Sequence, residues 1–105
     1  MEESGRRKTR SGTSDVERYR RILADKAEAL EWAIGRRNVK SINRAAEAAE
    51  AALVEVERAI DTEATVEATS PVEVDRAKEG YRAPVRELFK RAREVIRQVA
   101  VAEWA

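Results

Sequence analysis

A chain of 105 residues with a formal net charge of +1, 39% charged residues and 5% aromatic residues is one small, charge-dense domain with a single narrow core. It contains neither cysteine nor histidine, which excludes disulfides, thiol chemistry, the usual zinc sites, histidine-based triads and histidine pH switches. Large aliphatics are thin, with Leu23, Leu30, Leu53 and Leu88 set among many alanines and valines, so each helix contact buries little area at about 25 cal/mol per Å² and self-association is a natural remedy.

The chain opens on a polar stretch, Met1 to Ser14, holding glycine, serine, threonine and the basic cluster Arg6, Arg7, Lys8 and Arg10 without apolar periodicity. It reads as a disordered basic arm over residues 1–14, followed by one helical domain over 15–105. The arm lacks the apolar run of a secretory signal, and no segment approaches the roughly 18 apolar residues of a membrane span, so a cytoplasmic protein is expected. Ser14 and Glu17 have the spacing of a reciprocal cap and predict the start of a first helix. Its buried face is Val16, Tyr19, Leu23, Ala27, Leu30 and Ile34. Gly35 is placed to take a left-handed C-terminal conformation, with Arg36 and Arg37 complementing the helix dipole and Asn38 capping the next helix. Continuing the seam would require apolar residues where Arg37 and Ser41 stand, so the chain breaks here.

The second helix, from about Val39 to Glu63, carries the clearest pattern in the sequence. Val39, Ile42, Ala46, Ala49, Leu53, Val56 and Ile60 follow steps of three and four without a miss, the period of a seam that packs lengthwise against another helix. The Ala-rich centre, Ala45 to Ala52, lets a neighbour sit close. Thr62 to Thr69 lowers helix propensity and reads as a connection.

Ser70, Pro71 and Glu73 then supply a cap, a proline at the first helical position and a reciprocal carboxylate, the strongest local start signal in the chain. Within the third helix, Pro84 removes the amide that would pair with the Gly80 carbonyl. The apolar set Val74, Ala77, Tyr81, Val85, Leu88, Ala92, Val95, Val99 and Ala102 nevertheless crosses the proline with a slip of one residue, which favours one kinked helix over two. This helix outreaches the first, leaving Val99, Val101 and Trp104 to be covered. The fold expected is all-α, a small up-down-up three-helix bundle, with a helical hairpin that completes its core as a dimer as the alternative.

Charge is segregated along the chain. Residues 45–75 hold nine acids and one base, whereas residues 76–97 hold eight bases and three acids. Arg82, Arg86, Lys90, Arg93 and Arg97 follow helical spacing and form one stripe, expected to lie beside the acidic flank of the second helix. A second basic group, Arg36, Arg37, Lys40 and Arg44, surrounds the first turn. Paired acids such as Glu47 with Glu50 lack histidine partners, so no metal site or cofactor is expected. Arg20, Arg37, Lys40 and Gln98 have side chains suited to an anionic substrate, but no ordered acid and base motif accompanies them, and no enzyme is expected.

The function these residues imply is a non-enzymatic helical interaction or assembly module, self-associating through coiled-coil-like packing or binding another helical protein. Val39, Ile42, Leu53 and Val56 of the seam, Val99 near the end of the third helix, and the off-seam aromatics Trp32, Phe89 and Trp104 are its interface residues. The alternative is a nucleic-acid-associated protein, with the stripe Arg82, Arg86, Lys90, Arg93 and Arg97 and the arm residues Arg6, Arg7, Lys8 and Arg10 on phosphates. The net charge of +1 and the lack of helix-turn-helix spacing favour the first reading. Asn and Gln number three, and this scarcity of thermolabile residues with dense mixed charge fits a thermostable protein. Regular seams and caps suit a designed chain, and the polar arm and mid-helix proline a natural one.

Overall fold

A computed structural model describes the backbone of residues 2–104 and the side chains of residues 15–103. Three helices follow in order, α1 (Glu2–Arg36), α2 (Val39–Glu67) and α3 (Pro71–Trp104), and they form an all-α bundle. α2 packs on both neighbours more extensively than they pack on each other. Where Ser14 was expected to start the first helix after a disordered arm, the backbone of α1 is helical from Glu2. The side chains of the basic arm read over residues 1–14 and of Trp104 lie outside those described.

The two interhelical turns are set by local chemistry. Asn38, extended at φ −98° and ψ 109°, caps α2, and its side chain accepts from the Ser41 amide at 2.9 Å. At the second turn the Ser70 hydroxyl accepts from the Glu73 amide at 3.4 Å and the Ser70 carbonyl from Val74 at 3.0 Å, with Pro71 at the first helical position. The first turn departs from expectation in one respect. Gly35 stays helical, and Arg37 takes the left-handed conformation at φ 57°, donating its amide to the Ile34 carbonyl at 3.0 Å. Ala33 and Ile34 are both buried, so the last turn of α1 is held closed by the core and the reversal is pushed one step beyond Arg36.

The Thr-rich stretch is likewise helical rather than a connection, because α2 runs on to Glu67 and ends at Ala68, left-handed at φ 55° and ψ 42°. Thr62 and Thr65 donate their hydroxyls back to the carbonyls of Arg58 and Asp61, each at 3.0 Å, so neither hydroxyl competes with the helix from outside it. Burial of Ala59 and Ile60 carries the helix into this weak sequence. α3 passes through Pro84 as one helix. Pro84 and Gly80 both lie on its exposed side, where water reaches the carbonyl that the proline leaves without an amide.

Among the described residues the core comprises two clusters along the bundle. Leu30, Ala33, Ile34, Ile42, Ala49, Leu88 and Ala92 lie toward the first turn. Leu23, Ala52, Val56, Ile60 and Val85 form the other, and Phe89, half-buried, packs against both. The expected seams supply nearly all of these residues, and no polar or charged residue is buried among those described. Arg37 donates to Gln98 Oε1 at 3.2 Å, which puts the first turn level with Gln98. The last turn of α3 therefore extends past it, with Val101, Ala102 and Glu103 exposed.

Candidate functional site

The apolar set of α2 has to serve two neighbours, and this decides what remains on the surface. Ile42 and Val56 are fully buried within the bundle, whereas Leu53, on the side nearer α3, is half-buried. On α3, Val85 and Leu88 point into the core, and Phe89, one residue off that line, is left at its margin. Between the two helices these residues leave a groove of about 260 Å³ lined by Leu53, Glu57, Arg82, Val85, Arg86, Phe89 and Arg93. Its floor is apolar, from Leu53, Val85 and Phe89. Three arginines and one glutamate surround it.

The rim is partly organised by ion pairs. Arg82 Nε donates to Glu57 Oε2, joining the two banks, and this hydrogen bond pushes the guanidinium pKa up. Arg86 reaches along its own helix to Glu79 at 3.0 Å, and its hydrogen bond holds the Glu79 carboxyl below the usual carboxylate range. Arg93 has no ion-pair partner among the described residues.

The basic stripe meets its expected acidic neighbour at Arg82, which pairs with Glu57. Lys90 and Arg97 instead answer Glu87 and Glu94 on α3, at 3.7 and 3.5 Å. With Val85, Leu88 and Ala92 turned inward, Arg86, Lys90, Arg93 and Arg97 are left exposed. Lys78 and Asp61, at 2.8 Å, also tie α3 to α2, a pair outside the stripe. On the other side, Arg91 approaches Glu31 of α1 at 3.7 Å.

The remaining interface residues disperse. Val39 and Val99 are half-buried toward the first turn. Trp32 is 66% exposed on the outer side of α1, its ring 4.6 Å from the Arg36 guanidinium carbon, and it does not line the groove. Of the anionic-substrate set, Arg37 and Gln98 are brought together, while Arg20 pairs with Glu17 at 2.7 Å within α1. No group of three or more acids able to hold a metal ion occurs among the described residues, and no helix among them is long and apolar enough to cross a membrane.

The pairing of Leu53 with Phe89 and Val85 was not legible as a groove in the chain, because it depends on how far each helix is turned about its axis. The available signal was Phe89, large and one residue off its seam, beside a stripe of arginines. Comparison with family models, curated proteins and solved structures finds no match.

Proposed function

We propose that the chain is a non-enzymatic helical interaction module that docks a further helix in the groove between α2 and α3. The observation that carries this reading is the apolar floor of Leu53, Val85 and Phe89 within a rim of Arg82, Arg86 and Arg93. Such a floor rewards an apolar stripe along an incoming helix, and charged rims select its register and partner. A second copy or another helical protein meets this requirement, and the cysteine-free composition fits a cytoplasmic setting. The dense mixed charge supports a thermostable module.

The test is binding of helical peptides that carry a leucine stripe with glutamate or lysine flanks, followed by fluorescence anisotropy. Binding that is lost in Leu53→Asp, with the helical circular dichroism of the variant unchanged, supports the groove. Binding that is unaffected by Leu53→Asp overturns it.

The exposure of Arg86, Lys90, Arg93 and Arg97 favours a second reading, phosphate binding to nucleic acid. It requires affinity for single- or double-stranded DNA or RNA that falls steeply with salt and is lost in Arg86→Glu/Lys90→Glu. An apolar groove contact changes little with salt.

A further inference from the structure

We infer that the occupant of the groove is α2 of a second copy of this chain, docked about a two-fold axis so that each protomer fills the other's groove. The inference rests on the helix-docking reading above. The complementary surface is the outer side of α2, where Val54 is 42% exposed and Glu47, Glu50 and Ala51 stand beside it at helical spacings of seven, four and three. It is an acidic stripe with a small apolar centre, ended by Arg58 four residues beyond Val54, whose charge is answered by Glu55 at 3.4 Å.

Each half has what the other lacks. The groove has an uncovered apolar floor and an arginine, Arg93, without an ion-pair partner among the described residues. The stripe has an uncovered valine, and Glu47 and Glu50 likewise have no ion-pair partner there. Arg86 is also available, because its pair with Glu79 is about half exposed on both sides and is held only weakly against water. Small side chains at Ala51 and Val54 let a second α2 approach closely enough to bring Val54 to Leu53 and Phe89. Groove and stripe adjoin on the same helix, so a two-fold operator makes both contacts at once and closes the assembly at a dimer. Docking removes exposed apolar surface from both partners and sets Glu47 and Glu50 of each copy against Arg86 and Arg93 of the other.

Charge exchange tests this on the full chain, with circular dichroism confirming that each variant remains helical. Light scattering over a concentration series is expected to show a wild-type dimer. Arg86→Glu/Arg93→Glu alone and Glu47→Arg/Glu50→Arg alone are each expected to weaken dimerisation about tenfold or more. An equimolar mixture of the two variants is expected to recover a dimer, because both contacts of the mixed pair are again opposite in sign. A dimer that ignores both reversals, or a mixture that stays monomeric, overturns the inference. A wild-type monomer that binds a helical peptide in the groove overturns the second copy and leaves the docking reading standing. A monomer that binds no helical peptide overturns both.

Discussion

Arg82 of α3 and Glu57 of α2 are hydrogen-bonded across the contact between their helices, at the edge of the groove floored by Leu53, Val85 and Phe89. The pair marks where the acidic flank of one helix meets the basic stripe of the next. Both side chains are partly covered, so the link is less screened than the pairs that run along one helix. Glu57→Gln is expected to lower the melting temperature at low ionic strength, with Arg82→Gln adding little once Glu57 is gone. A double-mutant cycle of thermal unfolding in low and high salt checks this. Additive losses would show that the two groups act independently.

Gly35 and Gly80 do not coincide with the left-handed positions Arg37 and Ala68, and matching residue to conformation is expected to stabilise the fold. Gly35 and Gly80 are helical, and a β-carbon at either meets nothing within 4 Å. Gly35→Ala and Gly80→Ala are each expected to add about 0.5–1 kcal/mol. Ala68 carries a positive φ of 55° at the end of α2, and Ala68→Gly is expected to add up to about 1 kcal/mol by relieving the left-handed conformation. Urea midpoints measured at constant slope decide each case.

Core and surface separate sharply at two neighbouring positions of α1. Leu30 is fully buried, and Leu30→Ala is expected to cost about 2–5 kcal/mol through lost burial and the cavity left behind. Trp32, outward and stacked under Arg36, is expected to cost less than about 0.5 kcal/mol when replaced by alanine. Equal losses at the two sites in chemical denaturation would contradict this placement.

Acid weakens the bundle through identifiable carboxylates. Hydrogen bonds from Arg86 and Arg20 hold Glu79 and Glu17, respectively, below their ordinary pKa. A group whose pKa is lowered by folding binds fewer protons in the native state, so its contribution is complete above the unfolded carboxylate pKa. That contribution is lost as pH falls through the lower, folded value. Melting temperature is therefore expected to fall on acidification below the ordinary glutamate range, and less so in Glu79→Gln. Both carboxylates are well exposed, so high salt reduces the difference. A pH profile of thermal unfolding for the two proteins, at low and high salt, measures it.

Much of the fold is readable in the residues because it rests on local chemistry. Asn38 and Ser70 cap by side-chain geometry that a few neighbours determine, and the α2 seam from Val39 to Ile60 repeats without error. Gly35 misleads because burial of Ala33 and Ile34 outweighs glycine's readiness to turn. Thr62 and Thr65 mislead because their hydroxyls find carbonyls inside the helix. The groove required a further quantity, the rotation of α3 about its axis. That rotation places Arg82 against α2, turns Arg86 and Arg97 toward water, and leaves Phe89 beside Leu53. Periodicity shows which residues share a stripe, and packing then decides where the stripe faces.

Phe89 touches both core clusters, and this shapes how the bundle comes apart. A side chain shared by two otherwise separate groups of buried residues makes them lose order together, which favours one cooperative transition over piecemeal melting. Because the same ring floors the groove, a helix seated there tightens the joint between the two halves. Docking of a helix as proposed would thereby be converted into resistance to unfolding along the length of the molecule.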